Sequence, residues 1–551
     1  MQTSGKHLVP VFLALLLPLM GGWQTDPEPE HAPVSKAEIL TTMKRATQFM
    51  DDKVSYQGGY VWSYLPDLSR RWGEMEAKKT MIWVQPPGTA TMGHLFLDAY
   101  HATGDSYYYR VAKRATEVLM RAQHPSGGWN YMADLAGEAS LQEWYRTIGA
   151  NGWRLEEFQH YYGNATFDDA GTAEASKLLL RMYLEKREPA IKKALDKAIA
   201  FVKESQYDMG GWPQRYPPAG AFTKQGHADY SSYITFNDDV AQENIEFLVL
   251  CYQALGDTSL LDPIRRAMDS FLVTQLPAPQ PGWALQYTTD LQPAGARTYE
   301  PKALSTATTV NNVRQLMNFY RLMGDRKYLA RIPEALDWLE ALRLPDDAIV
   351  DNRTHPMFIE LGTNKALYLH RRGSNVVNGA YYADYDPTHT IAHYRSTRFV
   401  DVADLRTQFE AIRQLSPEEA TAKSPLKSGV KVELPRYFTL RGAKISDLNS
   451  RGLSRRAAST EEVQQLISTL TPDGYWLTPL RVTTHPYIGP GTTEVAEGDF
   501  RSQFVGDQYD TSPYYTDQAQ EGISTGAFVR NMDVLIEYLT AHDQAVSQQG
   551  D

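Results

Sequence analysis

One pattern, two amphipathic segments followed by a glycine-tryptophan turn, recurs along the chain. The first copy begins at GTATMGHLFLDAYHATGD and ends at GGWNYM, and the second begins at GTAEASKLLLRMYLEKRE and ends at GGWPQRY. A third copy runs from Asn237 to PGWALQY. Apolar residues recur with helical spacing inside the copies, for example at Val111, Ala115 and Val118. Such copies are units that bury their apolar faces only by stacking on their neighbours.

The repeat predicts an all-α protein, an α/α toroid of antiparallel helix pairs arranged around an axis, with a small irregular or β insertion near the C-terminus. A fourth pair is predicted from Thr309 to Leu344, with a turn at Gly324 and Asp325, and a further helix after Ser524. A linear solenoid of the same pairs remains an alternative, because the sequence does not show that the ring closes. We expect the turns that end the pairs to gather on one rim and to carry the function.

The two ends of the chain differ in character from the repeat. An apolar run from Leu8 to Met20 follows Lys6 and His7, which is typical of a secretory signal and shorter than the roughly 20 residues of a membrane span. We therefore expect a secreted or periplasmic protein without stable membrane insertion. The predicted organisation is a signal peptide at 1–23, a linker at 24–36, the toroid at 37–400, a polar insertion at 401–470, and short strands with a closing helix at 471–551.

Charge and cysteine content limit the classes of partner. The formal net charge is -11, which disfavours nucleic acid, because such binding needs a cationic face. An acidic polysaccharide would also be repelled unless arginine, lysine or a bound cation reverses the field locally. Cys251 is the only cysteine, so an intramolecular disulfide is excluded. We expect a monomer.

Two acidic pairs directly precede predicted helices: Asp168 and Asp169 in ATFDDAGT, and Asp238 and Asp239 in YITFNDDVAQEN. One interpretation is that an aspartate caps each helix by accepting a backbone N–H. However, each pair has two carboxylates where one suffices, and both pairs should lie on the same rim of the ring. Oxygen ligands from two loops suit calcium, which accepts irregular geometry.

A third element, GARTYEP, follows the Trp283 turn. Its Arg297 could bind a carboxylate through two parallel hydrogen bonds, or it could form a structural ion pair with Glu300. The tryptophans of the turns, Trp129, Trp212 and Trp283, either pack their own hairpins or stack on a sugar face.

With these elements in place, the chain resembles the family-ten pectate lyases. Their pattern runs T-x-D-N, G-G-W-P-Q-x-Y-P, I-T-x-N-D-N, A-R-x-Y-E and E-L/I-G-T-N-R-P, in that order. Here the corresponding segments are TFDD at 166–169, GGWPQRYP at 210–217, ITFNDD at 234–239, ARTYEP at 296–301 and IELGTNKAL at 359–367. Five motifs in the same order make this a specific match.

The resemblance implies an α/α toroid that binds polygalacturonate with Ca²⁺ and cleaves it by β-elimination. By motif position, Asp168 and Asp238 are metal ligands and Arg297 is the proton-abstracting residue. Asp169 replaces an Asn of the family; it keeps an oxygen ligand and adds negative charge, so we expect it to bind the metal as well. Asp239 also replaces an Asn, and we expect it to contact substrate.

Arginine is an awkward base, because its pKa above about 12 keeps it protonated. Tyr299, Tyr233 and Tyr216 therefore remain candidates for the base, with Arg297 as a charge stabiliser. Lys365 replaces the Arg of G-T-N-R-P and loses a bidentate carboxylate contact, so the exact uronate is open. The residues expected to bind substrate are Trp212, Tyr216, Asp239, Lys365, Arg371 and Arg372.

Other functions remain compatible with parts of the sequence. Toroids also carry glycosidases, in which two aspartates act as acid and base. A non-catalytic sugar-binding protein would use the tryptophan turns and leave the aspartates as caps. His389 and His393 have helical ligand spacing for zinc but lack the HExxH glutamate. An isoprenoid cyclase would require a DDxxD spacing that Asp238 and Asp239 do not have.

Overall fold

A computed structural model of the protein describes most of the toroid and part of the C-terminal region. The described residues are 34–151, 156–219, 228–372, 380–388, 390–391, 396–427, 434–439, 458–480 and 520–549. The predicted signal peptide at 1–23 and the pair His389 and His393 lie outside them. No helix within these ranges is long and apolar enough to cross a bilayer.

Helices form most of the described chain. In order, they are α1 (Lys36–Phe49), α2 (Thr89–Thr103), α3 (Ser106–Ala122), α4 (Glu138–Arg146), α5 (Glu156–Gln159), α6 (Gly171–Lys186), α7 (Pro189–Glu204), α8 (Val240–Leu255), α9 (Leu261–Val273), α10 (Thr306–Met323), α11 (Ile332–Ala341), α12 (Val402–Arg413), α13 (Pro417–Ala420), α14 (Thr460–Thr469) and α15 (Thr525–Gln549). The last of these begins directly after Ser524, as the sequence predicted.

The strands are short and connect the helix pairs. They are β1 (Ser63–Tyr64), β2 (Arg71–Trp72), β3 (Met81–Trp83), β4 (Met132–Asp134), β5 (Ala165–Thr166), β6 (Arg215–Tyr216), β7 (Ile234–Thr235), β8 (Trp283–Ala284), β9 (Gln286–Tyr287), β10 (Pro293–Ala294), β11 (Ala303–Ser305), β12 (His355–Pro356), β13 (Phe358–Glu360), β14 (Ala366–Arg372), β15 (Ala380–Asp384), β16 (Thr397–Arg398), β17 (Thr478–Leu480) and β18 (Gln520–Ser524). All their pairings are antiparallel. The largest of these sheets has the order β15-β14-β13-β11-β8.

The predicted helix pairs are confirmed: α2 packs on α3, α6 on α7, α8 on α9 and α10 on α11. The turn chemistry explains the hairpins. Gly104 ends α2 in the left-handed region at φ 71°, and Asp105 then accepts the Tyr107 N–H at 2.8 Å. Gly324 ends α10 in the same way, at φ 70°.

One helix of each pair lies in an inner row. Nearly every residue in the first three turns of α2 and of α6 is buried, whereas α3, α7 and α9 bury a single face. In the row, α15 packs on α2, α2 on α6, and α6 on α8, and a groove separates α8 from α10. Because α15 also packs on α1, the two ends of the described chain meet. The architecture is an α/α toroid.

The tryptophan turns lie in the core. Trp129, Trp212 and Trp283 have no exposed surface. Each indole N–H donates to a carbonyl of the preceding helix, namely to Leu119, Val202 and Phe271 at 2.8, 2.8 and 2.9 Å. A fully buried ring cannot stack on a sugar, so the expected substrate contact of Trp212 is wrong; the ring packs its own hairpin.

The described part of 401–470 is packed on the toroid. Helix α12 contacts α10 and α11, and α14 contacts α1 and α15. A short segment at 434–439 reaches the inner row, where the Thr439 N–H donates to the buried Asp98 at 2.8 Å and the Phe438 ring stacks on His94 at 5.4 Å. Beyond it, β17 pairs with β18, the strand that leads into α15.

Candidate active site

Each acidic pair includes backbone that L-residues rarely adopt. Asp169 and Ala170 have φ of 51° and 58°, and Asp238 and Asp239 have φ of 51° and 60°. The two-residue left-handed turn occurs at the same place in both repeats, three residues after the threonine that they share. Left-handed backbone at non-glycine residues is strained, and such strain concentrates at functional sites.

The capping interpretation of these aspartates is wrong. The residues at the N-cap positions of α6 and α8 are Ala170 and Asp239, and neither makes a side-chain capping hydrogen bond. The turns instead bring the carboxylates of the two repeats together. One oxygen from each of Asp168, Asp169 and Asp238 lies within 4.8 Å of the others, so the predicted meeting of Asp168 with Asp238 is confirmed.

The two oxygens of Asp168 have different surroundings. Oδ2 accepts hydrogen bonds from the Tyr131 hydroxyl, from Gln214 Nε2 at 3.2 Å and from the Arg297 guanidinium. Oδ1 is equally buried, yet no donor among the described residues reaches it. A buried carboxylate oxygen without a donor is costly. With Asp238 beside it, either a proton on Asp238 or a cation must lie between the two groups.

Arg297 lies close to four carboxylates, two of which belong to this cluster. Its side chain keeps 4% exposure; besides Asp168 it lies 2.9 Å from Glu300, 3.5 Å from Glu157 and 3.9 Å from Asp238. The ion pair with Glu300 and the contact with the acidic pairs therefore both occur. Burial would lower the pKa of Arg297, but Asp168, Glu300 and Glu157 raise it well above its usual range. This raised pKa favours the charged guanidinium and works against a role for Arg297 as the base.

The carboxylates differ in their affinity for protons. Burial and the charges of Asp168 and Asp169 raise the pKa of Asp238 well above its usual range, although its side chain keeps 27% exposure. Burial opposes ionisation of Asp168 as well, but the charge of Arg297 and the hydrogen bond from the Tyr131 hydroxyl lower its pKa. The cluster thus carries more negative charge than the protein compensates, which is the condition for cation binding.

Amide side chains fix the cluster from outside. Gln85 Nε2 donates to Asp169 Oδ2 at 2.8 Å, and Asn237 Nδ2 donates to Asp238 Oδ2 at 2.8 Å. Asp239 lies apart from the three clustered carboxylates, and its Oδ1 meets Asn311 Nδ2 at 3.5 Å. Outer partners of this kind orient metal ligands.

Sequence reasoning missed Tyr131, Gln214 and Glu157. A signal for the first two was present: each stands two residues after the tryptophan of its turn, at the same register of the repeat. Their carbonyls receive backbone N–H groups, Tyr131 from Gln85 at 3.2 Å and Gln214 from Phe167 at 2.9 Å. The repeat register therefore places two donors on Asp168. Glu157 lies outside the repeat and has no comparable signal.

The three tyrosines considered as bases have different accessibility. Tyr299 is 2% exposed and its ring packs edge-on against Tyr381 at 5.5 Å. Tyr216, in β6, and Tyr233, just before β7, are half-buried. A substrate can therefore reach Tyr216 and Tyr233 more readily than Tyr299.

The predicted cationic substrate contacts lie on the β13–β14–β15 part of the sheet. Lys365 is exposed in the turn before β14, with its Nζ 4.8 Å from the centroid of the Tyr385 ring. Arg371 and Arg372 are in β14, where their backbones pair with Tyr381 and Ala380. Tyr381 packs on Tyr299, so this hairpin adjoins the segment that carries Arg297.

The segment that holds the cluster matches a known class of enzyme. Residues 142–378 fit a family model of lyases that act on polysaccharides, and this range contains Asp168, Asp238 and Arg297. The matching family model is described as pectic acid lyase. The resemblance seen in the five motifs is thereby confirmed.

Several solved structures resemble the chain at low sequence identity. The family 10 polysaccharide lyase from Cellvibrio cellulosa is 18% identical, with a TM-score of 0.35, over 60% of this chain and 91% of that one. A variant of it in complex with trigalaturonic acid is 18% identical, with a TM-score of 0.32, over 56% and 92%. The GH76 α-mannanase from Bacteroides thetaiotaomicron is 9% identical, with a TM-score of 0.37, over 92% and 97%. No curated protein sequence matches the chain.

Proposed function

We propose that this protein is a secreted pectate lyase that cleaves polygalacturonate by β-elimination with Ca²⁺ held by Asp168, Asp169 and Asp238. The observation that carries the proposal is the buried Asp168 Oδ1, which has no donor among the described residues and lies beside two more carboxylates. The match to pectic acid lyases supports the substrate. The apolar run from Leu8 to Met20 supports secretion.

The donor set fits calcium. The three clustered residues offer only carboxylate oxygens, which are the ligands of hard cations, and they come from two loops in an irregular arrangement. Zinc sites favour nitrogen and sulfur ligands in a tetrahedron. Ca²⁺ takes about six to eight oxygens, so the carboxylate of a uronate and water can complete the shell.

The reaction requires removal of a weakly acidic proton. The C5 proton of a uronate passes to a base, its electron pair forms the C4–C5 double bond, and the C4–O bond breaks as the leaving oxygen takes a proton. A bound cation supplies neutralisation of the uronate carboxylate and stabilises the charge that develops there. Arg297 holds Asp168 ionised and in place, and its permanent charge assigns it to charge stabilisation. Tyr216 and Tyr233 are the accessible phenols for proton transfer.

The carboxylate spacing argues against a glycosidase. Acid and base carboxyl groups of retaining glycosidases lie about 5–5.5 Å apart, and those of inverting enzymes about 6.5–9.5 Å. Here one oxygen from each of Asp168, Asp169 and Asp238 lies within 4.8 Å of the others, and Arg297 already occupies Oδ2 of Asp168. This arrangement suits shared binding of one cation.

The test is cleavage of polygalacturonate followed by ultraviolet absorbance of the 4,5-unsaturated product. We expect absorbance to rise, to stop when a chelator is added, and to resume when excess Ca²⁺ is restored. New reducing ends without absorbance would establish a hydrolase. Binding without any product would establish a sugar-binding protein, and indifference to the chelator would refute the cation assignment.

The raised pKa of Asp238 predicts how Ca²⁺ affinity depends on pH. Without the cation this carboxyl holds its proton at pH values where an ordinary aspartate is ionised, so Ca²⁺ must displace it. We expect affinity measured by calorimetry to rise with pH through the Asp238 pKa, with proton release that appears as a dependence of the binding enthalpy on the buffer. In the Asp238→Asn variant, the rise of Ca²⁺ affinity with pH and the release of a proton on binding should both be lost.

The stability of the calcium-free protein should change in the opposite direction. Because the folded state binds the Asp238 proton more tightly than the unfolded chain does, the free energy of unfolding falls as pH rises from the unfolded to the folded pKa. Saturating Ca²⁺ should remove this fall. A calcium-free stability that rises over the same range would contradict the charge state inferred for the cluster.

A further inference from the structure

Tyr385 is a large aromatic residue that remains on the surface. It keeps 52% exposure, and Phe399 is the other aromatic ring among the described residues that is comparably exposed. Tyr385 lies beyond residue 378, the last residue of the family match. Exposed aromatic rings offer an apolar face together with a polar edge, which suits them to ligand contact.

The Tyr385 ring is fixed from two sides. Its hydroxyl donates to Glu360 Oε1 at 2.8 Å, and Lys365 Nζ lies 4.8 Å from the ring centroid. Glu360 also accepts from the Thr363 hydroxyl, which holds the carboxylate in turn. An exposed side chain that is already ordered loses less conformational entropy when a ligand binds.

Tyr385 follows the strand that adjoins the Arg297 segment. Residue 381 of β15 packs on Tyr299, two residues from Arg297, and Tyr385 follows four residues later along the chain. At about 3.3 Å per residue, this places Tyr385 roughly 13 Å farther along the hairpin. Glu360, its partner, pairs in β13 with Ala303 of β11, the strand that directly follows the Arg297 segment.

We propose that Tyr385 and Lys365 together bind a uronate unit of the polysaccharide at a distance from the cation cluster; this rests on the proposed function. The C–H face of the sugar packs on the open part of the tyrosine ring, and its carboxylate meets the Lys365 ammonium. A lysine is a point charge on a flexible stem and lacks the fork of the arginine that the family motif has here. The contact between the Lys365 ammonium and the fixed Tyr385 ring orients the charge, as the planar guanidinium of an arginine would do.

A double-mutant cycle tests the pair. We expect Tyr385→Ala and Lys365→Ala each to raise KM for polygalacturonate about three- to tenfold, with kcat changed less than about twofold, because each removes a contact made equally in ground and transition states. The double variant should raise KM by less than the product of the two single effects. Cleavage by Tyr385→Ala of a galacturonate oligomer too short to reach the hairpin should be unchanged.

Two control variants separate stacking from disturbance of the surface. Tyr385→Phe keeps the ring and loses the bond to Glu360, so most of the affinity should remain. Phe399→Ala removes the other exposed ring; this residue follows β16, which pairs with β12 outside the hairpin, and KM should not change. Circular dichroism of each variant should match that of the wild type.

The outcomes distinguish this inference from the proposed function. If the wild type cleaves polygalacturonate and Tyr385→Ala has an unchanged KM, or if the two single effects simply multiply, the paired subsite is wrong and the lyase stands. If the wild type forms no product, calorimetric binding of polygalacturonate decides the matter. Weaker binding by Tyr385→Ala then supports the subsite without the lyase, and absence of binding by the wild type overturns both.

Discussion

Asp238→Asn is expected to lower the rate of product formation by about 100-fold or more while the helical circular dichroism stays intact. The change removes the negative charge that Asp238 carries once Ca²⁺ has displaced its proton, and this weakens the shell around the cation. It should not disturb the fold, because asparagine tolerates the left-handed backbone at φ 51° and no capping bond depends on this side chain. Steady-state absorbance at saturating Ca²⁺ measures the loss, and calorimetry measures the accompanying fall in Ca²⁺ affinity.

Asp351→Asn is the matched control. Asp351 is also an aspartate in left-handed backbone, at φ 52°, but it is exposed and pairs with Arg353 at 2.8 Å in the loop between α11 and β12. This variant should retain full activity. An Asp238→Asn protein that unfolds would point to a structural role for the carboxylate, and one that retains wild-type activity would remove Asp238 from the metal ligands.

Arg297→Ala should abolish activity and also lower the free energy of unfolding by about 3–5 kcal/mol, because it leaves buried carboxylates without their cationic partner. Asp168, Glu157 and Glu300 are all buried, and all three lie around this guanidinium. Arg297→Lys keeps the charge but cannot bridge several carboxylates at once, so it should lose activity with a smaller loss of stability. Denaturant unfolding monitored by circular dichroism gives both values.

The control for this prediction is Arg353→Ala. That arginine forms an ion pair with Asp351 on the surface, and exposed pairs contribute about 0–1 kcal/mol. Added Ca²⁺ should recover part of the stability lost by Arg297→Ala, because the metal ion then neutralises Asp168 in place of the missing guanidinium. Wild-type stability of Arg297→Ala in chelator would show that the buried carboxylates do not depend on this charge.

Helix pairs, turns and motif order were readable in the sequence because they depend on local chemistry. The helical spacing of apolar residues, the Gly104-Asp105 turn and the final helix after Ser524 appear as predicted. The acidic pairs were recognisable because two adjacent carboxylates exceed what a cap needs. The role of Trp212 could not be read in the same way, because a turn tryptophan has the same sequence pattern whether its ring faces the core or the cleft.

The surroundings of the cluster depended on contacts between distant parts of the chain. Asp168 meets Arg297 across 129 positions and Tyr131 across 37. Glu157 lies close to Arg297, although no sequence motif marks Glu157. Which carboxylate keeps its proton follows from burial and from neighbouring charges, and neither is a property of Asp238 alone.

By itself, the sequence determined the class of architecture and the set of groups available for chemistry, since hydrophobic period, turn residues and residue type are local properties. Only the tertiary structure decided which groups act together. It brought Asp168, Asp169 and Asp238 to within 4.8 Å, left one buried oxygen without a donor, and surrounded Arg297 with carboxylates that keep it charged. Electrostatic energy depends on separation in space and on exclusion of water, and both arise only when the ring of helices has assembled.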